Sequence, residues 1–196
     1  WTTGGDPGHR IQGVVNLPLL KDRAALRLVA YDELRGGYVD DLNLRLSNVD
    51  RTTRSGGRLG LRVLTDGGWT LDLGGAVQRL ASNDTQYVTA GSLMRANRVR
   101  EDHSNRFSSL AFTAEGPLSD GRLQTSTSYV RHRFSSRYDA SAALSAFDEN
   151  PSGVAVYQEG VRTEMLGQDL LYSSDAAGPV RWLAGASASV TRINSP

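Results

Sequence analysis

Trp69-Thr70-Leu71-Asp72-Leu73-Gly74-Gly75-Ala76-Val77-Gln78 alternates in character at every step. Trp69, Leu71, Leu73, Gly75 and Val77 fall on one side of an extended chain, and Thr70, Asp72, Gly74, Ala76 and Gln78 on the other. Successive Cβ atoms of a strand point to opposite faces, so a period of two reads as a β-strand with one apolar and one polar side. The stretch follows Thr65-Asp66-Gly67-Gly68, a tight-turn composition, so it reads as the second arm of a hairpin.

The same pattern recurs along the chain. Reading polarity at period two predicts eight strands, over residues 10–19, 24–33, 57–65, 69–78, 105–116, 122–135, 161–173 and 180–192. In the second, Ala24, Leu26, Leu28 and Ala30 oppose Ala25, Arg27, Val29 and Tyr31; in the third, Leu59, Leu61 and Val63 oppose Arg58, Gly60 and Arg62. The seventh is ambiguous, because Gln168 and Asp169 interrupt both faces. A helix over 24–34 is the competing reading of the second segment. Gly36-Gly37 stops it, and its flanks are hairpin-like, so a strand is expected. A short helix is expected only at 141–147, inside a loop.

The connections alternate between short and long. Lys21-Asp22-Arg23, Thr65-Asp66-Gly67-Gly68, Ser119-Asp120-Gly121 and Asp175-Ala176-Ala177-Gly178-Pro179 are tight turns. Residues 34–55, 82–103 and 136–160 are long polar stretches, well beyond the two to five residues of an ordinary hairpin loop. In an up-and-down antiparallel sheet this rhythm gathers the long loops at one end. Outer-membrane β-barrels are built so, with short periplasmic turns and long external loops. Many of the strands also reach the 9–11 residues that a tilted crossing of a bilayer needs.

Composition narrows the classes. Of 196 residues, 22 are Lys or Arg and 21 Asp or Glu, and the basic residues are scattered, so no nucleic-acid partner is expected. There is no cysteine, which excludes disulfides and thiolate metal sites. No run of about 18 apolar residues occurs. Trp69 and Trp182 each follow a short turn and Tyr172 precedes one, as an inner aromatic girdle would; Tyr31, Phe107 and Tyr129 lie toward the long-loop ends, where an outer girdle is expected.

Gly13-Val14-Val15-Asn16-Leu17-Pro18-Leu19, Ala24-Ala25-Leu26-Arg27-Leu28-Val29-Ala30-Tyr31 and Gly36-Gly37-Tyr38-Val39-Asp40 together resemble the early barrel of TonB-dependent outer-membrane receptors. The resemblance continues, in order, through Asn48-Val49-Asp50, Gly57-Arg58-Leu59-Gly60-Leu61-Arg62 and Leu123-Gln124-Thr125-Ser126-Thr127-Ser128-Tyr129, followed by Arg133 and Asp139. It implies an all-β, antiparallel transmembrane barrel of about 22 strands. Residues 1–196 would supply about eight of them, without the plug domain, the TonB box or the C-terminal strands. It further implies an outer-membrane receptor for TonB-energised uptake of a scarce nutrient such as a siderophore. Its partners would be outer-membrane lipid and lipopolysaccharide, the TonB complex and a small-molecule ligand. No covalent chemistry, cofactor or metal is expected. Two other classes stay open: a small self-contained outer-membrane porin or adhesin barrel, and a soluble secreted β-sandwich binding protein.

Family ligands are held by the plug apex, the external loops and the upper lumen. The resemblance therefore points to the zones 38–46, 83–98 and 137–158, where Tyr38, Gln86, Tyr87, Tyr138 and Tyr157 could stack on or hydrogen-bond a ligand. The competing reading has these loop tyrosines packing on one another. Asp40-Asp41 reads as a hydrated loop pair in preference to a weak Ca²⁺ site. Arg100-Glu101-Asp102-His103 reads as a solvated junction in preference to a metal cluster, and Arg131-His132-Arg133 as a basic rim facing lipopolysaccharide or solvent. Gly74-Gly75, within a strand, suggests a bend or the close approach of another backbone.

Overall fold

A computed structural model describes residues 4–88, 91–146, 153–174 and 180–195. Its strands are β1 (His9–Leu20), β2 (Ala24–Arg35), β3 (Asp40–Asp41), β4 (Thr52–Leu64), β5 (Thr70–Ser82), β6 (Met94–Arg95), β7 (His103–Leu118), β8 (Gly121–Asp139), β9 (Val156–Ser174) and β10 (Leu183–Asn194). Eight of them form one antiparallel meander in the order β1-β2-β4-β5-β7-β8-β9-β10, and β3 and β6 form a separate parallel pair. All eight expected strands are present. Ala24–Arg35 is a strand, and the expected loop helix is a 3₁₀ segment, Ser141–Ala146. Phe147 and the turn at Asp175–Pro179 lie outside the described residues. No described helix is long and apolar enough to cross a membrane.

The ladders run further than period two suggests, chiefly at the long-loop end. β4 begins at Thr52, β8 ends at Asp139 and β9 begins at Val156. These extensions are polar on both faces, so hydrophobic alternation is silent there while backbone pairing continues.

The register separates the two faces cleanly. One transverse row reads Val15, Leu28, Leu59, Gly75, Leu110, Tyr129, Leu166 and Val190 across the sheet. The neighbouring row reads Asn16, Arg27, Gly60, Gly74, Ala111, Ser128, Gly167 and Ser189. Gln168 lies on the apolar face. Its Nε2 donates to Thr125 Oγ1 at 2.8 Å and its Oε1 accepts from Thr127, so the polar interruption of β9 is satisfied within the sheet. Asp169 lies on the other face, opposite Ser126 and Ser187.

Among the described residues nothing packs over either face. The described apolar side chains that are buried are Ala24, Val39, Val49 and Ala114, and the last two strands to either side, β1 and β10, are exposed throughout. Ile11 and Val190 keep 69% and 72% of their surface. Water-soluble domains pack two layers around a core; this sheet is a single layer with an open apolar face and two unpaired edges.

The short turns use left-handed residues. Asp22 and Ser119 have φ of 56° and 49°, a conformation that Asp and Asn tolerate better than most residues. At this end Trp69 packs over Gly116, leaving no room there for a Cβ, and Tyr172 and Trp182 lie 5.4 Å apart. Trp69, Tyr172 and Trp182 all belong to the apolar face, as expected of an inner girdle. The outer set is corrected. Tyr129 is on the apolar face, but Tyr31 and Phe107 point to the polar side, where Tyr31 donates to Gln78 Oε1 at 2.7 Å and Phe107 meets His132. Their odd or even position along the strand, and not their height, decides this. No described atom lies within 4 Å of where a Cβ would stand on Gly74, so of the bend or close backbone expected at Gly74-Gly75 no backbone packs onto this face at Gly74.

Candidate functional site

The long connections between β2 and β4, β5 and β7, and β8 and β9 all leave the same end of the sheet, and their described residues, 36–51, 83–88, 91–102, 140–146 and 153–155, are tied together. The parallel β3–β6 pair joins the first to the second, with Asp40 N donating to Leu93 O at 3.0 Å and Leu42 N to Arg95 O at 2.9 Å. Asp139 joins the second to the third, accepting from the backbone of Arg98 and Ser141.

Arg95 is the centre of this layer. Its side chain is 3% exposed; Nε meets Asp41 Oδ2 at 2.9 Å, Nη1 meets Glu101 Oε2 at 3.3 Å, and Nη2 pairs with Asp84. Nη1 also donates to Thr85 O at 3.2 Å. Asp84 takes a second cation, Arg100, at 2.9 Å. A planar guanidinium with several fixed donors suits this many-sided role better than an ammonium would. Asp50, 2% exposed, accepts from Tyr38 N at 2.6 Å and Val39 N at 2.8 Å, pinning the first connection to its own base.

This network overturns two expectations. Asp41 is not hydrated but 1% exposed and ion-paired, while Asp40 caps Asn48 N at 2.9 Å. Glu101, 6% exposed, is no solvated junction residue either. Asp41 lies 54 residues from Arg95, so only folding supplies its partner, while Glu101, six residues away, meets Arg95 through the local turn of the second connection. Among the described residues no group of His, Asp and Glu side chains is arranged to hold a metal ion.

The layer sits above a polar-face rim rich in rings. Tyr138 stacks on Tyr157 at 5.9 Å and 28°, and His103 meets the edge of Tyr138 at 5.1 Å while its Nδ1 lies 2.6 Å from Ser136 Oγ. Across the sheet, Glu33 bridges Arg35 and Arg54 at 2.7 and 2.6 Å, and Arg54 lies over the Tyr31 ring at 5.6 Å. His132 faces this polar side and contacts Asn105 Oδ1 at 3.0 Å, whereas its neighbours Arg131 and Arg133 face outward. The expected basic rim is therefore split between the faces.

The five residues singled out for ligand contact fall into separate places. Tyr138 and Tyr157 come together, as the packing alternative expected, yet Tyr157 stays exposed. Tyr38 and Gln86 converge on Asp50, with Gln86 Nε2 at 3.5 Å from Oδ2. Tyr87 is 71% exposed and joins neither group. Sequence reasoning missed Tyr31, Arg54, Gln78 and His103, whose shared face was readable but whose adjacency needed the register. A guanidinium, imidazole, amide and stacked phenols around one open face can hold a small molecule by stacking and hydrogen bonds.

Burial pushes the Asp139 carboxyl up, but the hydrogen bonds it accepts from Ser141, Arg98 and Val99 outweigh this and hold it below the ordinary carboxylate value. In comparisons with known proteins, no family model matches this chain, and no curated protein or solved structure matches it.

Proposed function

We propose that this chain is part of the wall and external surface of an outer-membrane β-barrel receptor, one that captures a small nutrient outside the cell and passes it inward with energy from the TonB complex. The observation that carries the membrane reading is the uncovered apolar face, bounded by aromatic side chains at the short-turn end. From Trp69 to Arg79 the strand rises ten residues, about 34 Å. At the tilt of about 40° usual in such barrels this is about 26 Å of height, close to the ~25 Å apolar band of an outer-membrane barrel. The unpaired β1 and β10 are then joined by further strands of a larger barrel, since an exposed edge is a template for pairing. The receptor reading beyond this rests on the resemblance noted in the sequence.

The loop layer and the polar rim form the outer binding surface, with Tyr38, Gln86, Tyr87, Tyr138 and Tyr157 among its contacts. The role is binding and transport rather than covalent chemistry. Two features weigh against a soluble sandwich: the segregation of long loops to one end and the absence of a second layer over the apolar face. The open edges weigh against a self-contained eight-stranded barrel.

The test is made on the full-length protein in cells. Recovery in the outer-membrane fraction, with heat-modifiable mobility in detergent and ligand uptake that stops when TonB is deleted, is the expected result. Recovery as a soluble periplasmic protein would remove the membrane reading; membrane recovery with TonB-independent uptake would leave a porin.

A further inference from the structure

We infer that the captured nutrient carries oxyanion groups, such as carboxylates, and is drawn inward along a ladder of arginines on the polar face of β2 and β4: Arg54 at the rim, then Arg58, Arg27 and Arg62. This deepens the receptor reading, on which it rests, by naming the chemistry of what is carried. The register sets the rungs. Arg54 stands opposite Glu33, Arg58 opposite Val29, Arg27 opposite Gly60 and Arg62 opposite Ala25. Two residues of strand rise about 6.8 Å and neighbouring strands lie about 4.8 Å apart. In backbone position Arg27 is therefore about 8 Å from both Arg58 and Arg62, and Arg54 is about 14 Å above Arg58.

The charge on this face is one-sided. Among the described residues, β1, β2 and β4 place Arg10, Arg27, Arg35, Arg54, Arg58 and Arg62 on it against a single acid, Glu33. Across the sheet, β7, β8 and β9 place Glu115, Glu159 and Asp169 on it against Arg122 alone. The ends of the ladder are partly neutralised: Glu33 is shared by Arg35 and Arg54 at 2.7 and 2.6 Å, and Arg62 takes both oxygens of Asp72 at 2.7 and 3.0 Å. The two middle rungs are not. Arg27 donates to a neutral amide, Asn16 Oδ1, at 3.3 Å, and Arg58 has no side-chain hydrogen bond or ion pair among the described residues. Both are exposed, and Val29 and Ala76 flank Arg58, so nothing on the sheet competes for its donors. Guanidiniums only donate, and their fork matches the paired oxygens of a carboxylate.

The ladder has open space beside it. A groove of about 520 Å³ is lined by Asn16, Arg27, Arg62 and Asp72 and crosses Gly60 and Gly74, where no described atom stands within 4 Å of a Cβ position. On the acidic side the comparable groove, about 550 Å³, holds Asp169, which repels an anion. A face cationic on one side and acidic on the other steers an anion to one wall, and low-dielectric walls strengthen that field. Asp72 competes for the last guanidinium, so the grip is weakest at the short-turn end, where release is needed.

The test titrates full-length protein in detergent micelles with propane-1,2,3-tricarboxylate and with its neutral triamide, which has nearly the same shape. At low salt the tricarboxylate should bind at least about tenfold more tightly, and the difference should shrink as salt rises. The pair Arg27→Gln with Arg58→Gln should lose the preference, and Arg27→Lys with Arg58→Lys should keep part of it. Arg106→Gln with Arg133→Gln, on the outward face, should leave it unchanged. No binding of the tricarboxylate, equal affinity for the two probes, or an unchanged preference in the Arg27 and Arg58 glutamine pair would overturn the ladder while leaving the barrel standing. Should that pair fail to fold, Arg58→Gln alone, which removes no contact of the sheet, decides by a loss of at least about threefold. A protein that stays out of micelles altogether would instead remove the membrane reading on which the ladder rests.

Discussion

Replacing Arg95 by alanine removes the cation shared by Asp41, Asp84 and Glu101, whose side chains are 0%, 0% and 8% exposed. Asp84 keeps Arg100, and Asp41 keeps the Leu44 amide at 3.1 Å, but neither replaces a buried guanidinium. Stripping one partner from a buried ion pair costs about 3–5 kcal/mol, because the remaining charge stays desolvated. The sheet does not depend on these contacts, since its ladders run from turn to rim without them. The loss should therefore fall on the loop layer and open it locally. At 1.36 kcal/mol per tenfold, about 3–5 kcal/mol raises the open population about 10²·²- to 10³·⁷-fold. Hydrogen exchange reads this directly: the amides of Asp40, Leu42 and Glu101 should lose protection by that factor, while those in the middle of β5 and β7 keep theirs. Adding Asp41→Asn, Asp84→Asn and Glu101→Gln to the variant should recover part of the protection by removing the stranded charges. Protection within threefold of wild type in Arg95→Ala alone would refute the assignment of Arg95 as the hub.

Asp139 makes the link between the second and third connections pH-dependent. Its carboxyl is held below the unfolded value, so its contribution is complete above the unfolded pKa and is lost as pH falls through the lower, folded one. Exchange at the Arg98, Val99 and Ser141 amides should rise in that acid window, and Asp139→Asn should flatten the dependence. Asp50→Ala leaves the Tyr38 and Val39 amides without their acceptor, at about 1–3 kcal/mol for each buried donor; proteolysis within residues 36–51 should accelerate, and Asp50→Asn should restore part of the resistance. A Cβ at Gly116 would lie 2.2 Å from the Trp69 ring, so Gly116→Ala should displace that ring, cost about 1–3 kcal/mol of overpacking and shift tryptophan emission, whereas Gly60→Ala, in open space, should change neither.

How much was legible follows from which signals are local. The eight strands of the main sheet announced their two faces wherever an apolar row alternates with a polar one, because side-chain direction depends only on position along the strand, whereas the two-residue β3 and β6 gave no such signal. The short turns were equally local, since Asp22 and Gly68 supply the backbone conformations a tight reversal needs. The strand extensions at the rim were hidden because both of their faces are polar. Tyr31 and Phe107 were assigned by height alone, and parity put them on the other side. Of the candidate site, Tyr38, Gln86 and Tyr87 are loop residues as expected, but Tyr138 and Tyr157 belong to the paired ends of β8 and β9, and the separation of the five into two groups and one isolated ring was not legible.

The sequence by itself determined a meander of two-faced strands with its long loops at one end, because alternation and turn chemistry are written within a few residues. Only the tertiary structure decided which charges meet. Arg95 finds Asp41, Asp84 and Glu101 because a two-residue parallel pairing brings the first two connections together. Arg27 falls between Arg58 and Arg62 because β2 and β4 share a register. Basic residues that look scattered along the chain thus form a cationic ladder, since charge acts through space while strand pairing joins residues remote in sequence.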